Sequence, residues 1–105
     1  MDGFRVRYTE EARDDLVRLF DFLLERAQTT EAFDDAQQVL DTIASEIETH
    51  LSRTPFIYRK SGKSPFLREL IIPCRTAGYV ALYEIEGGET INILAVRHQL
   101  EDDYH

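Results

Sequence analysis

The sequence predicts an α+β fold, a helical hairpin packed on one face of a small antiparallel sheet, with elements in the order β-α-α-β-β-β. Three observations predict it. Apolar residues recur at helical spacing in two stretches before residue 52, three runs rich in β-branched and aromatic residues follow residue 66, and a short alternating segment precedes them all. At 105 residues and 12.2 kDa, the chain is expected to form one domain, 1–105, around a single core.

The first element is a short strand, because Phe4, Val6 and Tyr8 alternate with Arg5 and Arg7. Thr9 suits a helix N-cap, and Glu10 and Glu11 follow in the first turn, where the helix dipole favours anions. Ala12, Leu16, Leu19, Phe20, Leu23 and Ala27 form one stripe, so helix one is expected to run to about Ala27. After the break at Gln28-Thr29-Thr30, a second stripe comprises Ala32, Ala36, Val39, Leu40, Ile43, Ile47 and Leu51. The acids of both helices are expected on solvated outer faces, with no buried carboxylate pair for acid/base chemistry.

Thr54-Pro55 and Ser61-Gly62-Lys63-Ser64-Pro65 break periodicity and mark a loop from Ser52 to Pro65. Strands are expected at Leu67–Ile72, Tyr79–Glu86 and Ile91–His98. The separator Pro73–Gly78 makes one antiparallel turn, and Gly87-Gly88 is a two-residue turn signal of the kind that permits positive φ at both central positions.

Charge is segregated. Residues 1–51 carry 13 acids and 5 bases, residues 52–83 carry 1 acid and 6 bases, and residues 84–105 carry 6 acids and 1 base. A net charge of −8 argues against general nucleic-acid binding, since phosphate contacts favour basic surfaces. Arg53, Arg59, Lys60, Lys63, Arg68 and Arg75 form the one anion-facing segment. Gly62-Lys63-Ser64 lacks the upstream glycine and strand of a phosphate-binding loop. The lone Cys74 has no disulfide partner, no Cys/His spacing suits zinc, and neither metal nor cofactor is expected. Neither a membrane span nor an apolar signal core is expected, so the cytoplasm is the expected location.

The most informative stretch is the last. Ile91-Asn92-Ile93-Leu94-Ala95-Val96 reads as a buried strand running into Arg97, His98 and Gln99, with Glu101, Asp102, Asp103, Tyr104 and His105 beyond. Together with Val6-Arg7-Tyr8-Thr9-Glu10-Glu11-Ala12, Arg68-Glu69-Leu70 and Gly78-Tyr79-Val80-Ala81-Leu82-Tyr83, and in this order, it resembles the RelE/ParE toxin superfamily over nearly the whole chain.

The resemblance implies the toxin half of a type II toxin-antitoxin module, of the kind linked to plasmid stabilization, held in a hetero-oligomer with a ParD-like antitoxin. Leu16, Phe20, Phe33, Phe56 and Ile57 are the expected antitoxin contacts, in a groove suited to an amphipathic helix and an extended strand. The ParE branch inhibits DNA gyrase and needs no catalytic set. Arg97, His98, Gln99, Glu101 and Tyr104 are then expected to contact the target. The RelE branch cleaves messenger RNA on the ribosome without a metal. It would use Arg59 and Arg68 to clamp the phosphate, His98 to transfer a proton and Tyr104 near a reacting oxygen. The acids at Glu101, Asp102 and Asp103 would repel that phosphate, which favours the ParE branch. A non-toxic antitoxin-binding module is the remaining alternative.

Overall fold

A computed structural model describes residues 3–25, 29–74 and 77–99. The elements are β1 (Arg5–Tyr8), α1 (Glu10–Glu25), α2 (Thr30–Leu51), β2 (Arg59–Lys60), β3 (Leu67–Cys74), β4 (Ala77–Glu86) and β5 (Thr90–His98). The strands form one sheet in the order β1-β5-β4-β3-β2. α1 lies along β5 and α2 along β3, so the hairpin covers one face of the sheet, an α+β architecture as expected. The expected helix end at Ala27 lies outside the described residues.

The sheet itself differs from the expectation in two ways. It is mixed rather than antiparallel, because β1 runs parallel to β5, from Arg5 opposite Thr90 to Tyr8 opposite Ile93. Alternation in β1 reports a half-buried strand but not its direction, and no tight turn joins the two strands to fix it. It also gains β2, two exposed residues paired antiparallel with Arg68 and Glu69. Arg59 and Lys60 carry no apolar alternation that would mark a strand.

Thr9 does more than begin a helix. Its hydroxyl oxygen accepts from the Ala12 N–H at 3.2 Å, capping α1. Its O–H donates to the Ile93 carbonyl at 2.8 Å, and its N–H donates to the same carbonyl at 3.0 Å. The cap thereby ties α1 to β5. Between hairpin and sheet lie Ala12 and Leu19, then Ile43, Ile47 and Leu51, against Leu70, Ile72, Ala81, Tyr83, Ile91, Ile93 and Val96. Each fully buried aliphatic side chain there contributes roughly 1.5–3 kcal/mol.

β3 continues through Pro73 to Cys74, past the residue expected to end it. The ladder explains why. Ser61 N–H donates to Leu67 O at 2.8 Å and Ile85 N–H donates to Phe66 O at 2.7 Å. Odd-numbered residues of β3 therefore turn their backbone groups toward β2, and even-numbered ones toward β4. Among the described residues, no strand pairs with β3 beyond Glu69 on the β2 side. Pro73 thus places its missing N–H at an uncovered edge, where a strand tolerates proline. The same edge presents the N–H and C=O of Ile71.

The β4–β5 turn is also longer than expected. Glu86 opposite Thr90 is the last pair, so Gly87 to Glu89 form a three-residue connection. Within this connection Gly88 takes the positive φ, 85°, and Gly87 does not.

Candidate functional site

The sheet has two ends with different chemistry. At the end where β1, β3 and β5 begin lies the basic loop, held by two side chains. Arg68 donates through Nε to Pro65 O at 2.8 Å and through Nη1 to Phe56 O at 2.7 Å and Tyr58 O at 2.9 Å. Its guanidinium also lies 5.6 Å from the centre of the Phe56 ring. The Tyr83 hydroxyl donates to Pro55 O at 2.6 Å in the core. Phe4 meets Phe56 edge to face at 6.2 Å, and its N–H donates to Ser52 O at 2.8 Å. Arg59 pairs with Glu69 across the strands, Nε to Oε1 at 2.7 Å.

At the opposite end, His98 is half-buried and meets Tyr79 edge to face at 5.3 Å. Buried Cys74 lies close enough to Tyr79 to help raise its phenol, although burial is the larger cause. Arg97 and Gln99 are exposed there. A Cβ on Gly78 would collide with the Gln99 amide, so glycine lets that side chain lie across β4. Arg75, Glu101 and Tyr104 lie outside the described residues, as do Asp102, Asp103 and His105.

The register separates the two groups. Arg68 is opposite Tyr83, while His98 is opposite Tyr79, four residues away on β4 and two strands across. With strand dimensions of ~3.4 Å per residue and ~4.8 Å between strands, their backbones are about 17 Å apart. Arg59 and Arg68 lie on neighbouring strands but one step apart in register, which puts them on opposite faces of the sheet, and both are already paired with protein groups. His98 does not join them.

The antitoxin candidates fall into two patches. Leu16 packs against the core, and Phe20 meets Phe33 edge to face at 5.9 Å with Phe33 exposed. Exposed Val17 and Phe22 join the hairpin as apolar residues off its buried stripe, a signal the periodicity contained but the stripe alone did not use. Phe56 and Ile57 stand out from the clamped loop, 49% and 71% exposed, together with Phe66.

One acid contradicts the expectation that all helical carboxylates face solvent. Asp15 is buried. Its Oδ2 accepts from the Val96 N–H at 2.9 Å, and its Oδ1 accepts from the Arg18 guanidinium. β1 stops pairing at Ile93, so Asp15 takes the place of a missing strand for the next outward-facing amide. Its position was readable, since Ala12, Asp15 and Leu19 share core spacing at i, i+3 and i+7.

Three phenols set an alkaline limit. Burial raises Tyr83 most, opposed by Arg68 and assisted by Tyr58; burial also raises Tyr8, with Glu48 adding to it, and Tyr79. Below pH 10 these groups are protonated whether the chain is folded or not, and their contribution is complete. As pH rises past 10 the unfolded chain ionises while the folded chain resists, so stability falls. Urea midpoints should therefore drop from about pH 10 upward, and less steeply in Tyr83→Phe. An unchanged slope in that variant would contradict the role given to burial.

No helix among the described residues is long and apolar enough to cross a membrane. Among curated proteins no relative matches this chain. Its fold is similar to that of the chromosomal ParDE toxin-antitoxin system of P. aeruginosa, with a TM-score of 0.69 at 16% identity, covering 90% of this chain and 95% of that one. It is also similar to a free-state double arginine-to-alanine variant of E. coli toxin RelE, with a TM-score of 0.52 at 14% identity, covering 97% and 90%. Residues 6–103 match the family described as ParE toxin of type II toxin-antitoxin system, parDE. A match over nearly every element of the fold, from β1 through β5, places this chain in the ParE toxin family, the toxin half of a type II module whose other half is an antitoxin.

Proposed function

We propose that this toxin inhibits DNA gyrase in the cytoplasm and is neutralised by a ParD-like antitoxin. The engagement of Arg68 supports this reading over ribosome-dependent RNA cleavage. Its guanidinium already satisfies three loop carbonyls, and Arg59 already holds Glu69, so neither offers a scissile phosphate an unengaged cation. His98 sits at the far end of the sheet. In the gyrase reading, Arg97, His98 and Gln99, continuing into Glu101 and Tyr104, contact the target without performing chemistry.

The antitoxin covers the hairpin patch of Leu16, Phe20 and Phe33 with an amphipathic helix. An extended segment then pairs with the uncovered edge of β3 at Ile71 and reaches Phe56 and Ile57. β3 is favoured over the open part of β5 because Asp15 already occupies the Val96 amide.

A supercoiling assay with purified gyrase and the antitoxin-free chain tests the proposal. Loss of supercoiling, with linear DNA released after protein digestion, is the expected result. Normal supercoiling by the folded chain, together with cleavage of ribosome-bound message, would overturn it. Normal supercoiling without growth arrest would instead leave an antitoxin-binding module.

A further inference from the structure

The clamped loop carries three large exposed apolar side chains, Phe56, Ile57 and Phe66, and the densest positive charge in the chain. Residues 52–68 hold five of the twelve bases and none of the twenty acids, leaving the other 88 residues at net −13. Arg68 and Arg59 are engaged within the fold, but no carboxylate among the described residues pairs with Arg53, Lys60 or Lys63. The apolar residues also belong to one place. A single guanidinium binds the carbonyls of Phe56 and Pro65, which brings the two halves of the loop within its span. Pro55 is buried beneath them.

We infer that this surface binds an acidic segment of a protein partner, one that alternates carboxylates with large apolar side chains. The inference rests on the reading of this loop as a partner-binding surface and names the chemistry of what it takes. Two features of the loop select that occupant. First, Arg68 and Tyr83 fix the loop before binding, so the exposed rings and Ile57 are presented with little ordering left to do. Second, cations with no carboxylate partner among the described residues, set in one loop with apolar protrusions, match carboxylates set among apolar side chains.

A nucleic acid fits worse. Its phosphates would meet Arg53, Lys60 and Lys63 but gain nothing from Ile57, and any length beyond the loop would run onto the acidic remainder of the molecule. A compact acidic segment stays within the basic zone.

The test uses the full chain and three synthetic probes in titration calorimetry with amide shift mapping. They are a peptide of about fourteen residues in which Glu and Asp alternate with Leu and Phe, the same peptide with each acid amidated, and a single-stranded DNA of matching charge. The acidic peptide is expected to bind, to shift Phe56, Ile57, Lys60 and Phe66, and to weaken with salt. Lys60→Glu with Lys63→Glu should weaken it roughly tenfold or more, and Ile57→Asp should do likewise, with melting unchanged because all three residues are exposed. Equal binding of the amidated peptide, stronger binding of the DNA, self-association that excludes the peptide, or indifference to these substitutions would each overturn the inference. Growth arrest by the Lys60→Glu/Lys63→Glu chain expressed alone reports on the toxin and gyrase reading separately, since it needs no peptide.

Discussion

Asp15→Ala should destabilise the protein by about 2–3 kcal/mol, lowering its melting temperature by roughly 10–20 °C for a chain of this length. The substitution strips the Val96 N–H of its acceptor in a place closed to water, and it leaves Arg18 without its partner. An orphaned buried donor costs more than the net gain of an ordinary hydrogen bond, so the loss exceeds what area alone would suggest. Asp15→Asn keeps a carbonyl acceptor and should recover more than half. Glu11→Ala, an exposed acid on the same helix, should stay within about 0.5 kcal/mol of the parent. Hydrogen exchange at Val96 gives a local readout. Unaltered protection of that amide in Asp15→Ala would show that the carboxylate is not its principal partner.

The second large effect concerns Arg68. Arg68→Ala removes donors from three carbonyls and the cation from the face of Phe56, and is expected to cost about 1–2 kcal/mol because water can rehydrate the more exposed carbonyls. The local consequence is larger than the global one. Residues 55–66 should become the first site of proteolytic nicking. Arg68→Lys should rescue little, since one ammonium cannot reproduce a planar fork directed at separate carbonyls. A phosphate clamp predicts the opposite, with lysine retaining much of the function. Because Tyr83 holds the neighbouring Pro55 carbonyl, Arg68→Ala and Tyr83→Phe should couple by at least about 0.5 kcal/mol in a double-mutant cycle. Strict additivity would mean that the two side chains restrain the loop independently.

The elements were legible where one physical signal dominated. The helical stripes predicted α1 and α2 because a two-helix cover must bury one face of each. β3, β4 and β5 followed from β-branched content and the turns between them. Direction and edge pairing were not legible, since β1 alternates identically whether parallel or antiparallel and β2 has no buried side chain. Pro73 misled because its effect depends on which way the missing N–H points, a property of register rather than composition.

The site was readable only in part for a related reason. The sequence located the basic segment and the strand end at His98, but not their placement at opposite ends of the sheet. Arg68 looked available for phosphate because a free cation and one consumed by backbone carbonyls have the same sequence. Asp15 was hidden by chemistry rather than position. Its spacing belonged to the core, but a carboxylate is expected in water unless a buried amide lacks a partner, and that amide lies 81 positions away.

The parallel pairing of β1 with β5 also determines how the molecule resists being pulled apart. Force applied outward at Arg5 and His98 draws two neighbouring strands past one another along their length. The ladder is then loaded in shear, its bonds sharing the strain together, whereas an antiparallel hairpin pulled from its open end would unzip one bond at a time. The Thr9–Ile93 and Asp15–Val96 bonds lie along the same line and extend the short clamp beyond β1 itself. A machine that unfolds proteins by traction must therefore break the clamp as a unit when it grips either end, but meets a weaker path if it seizes the loop between α2 and β3.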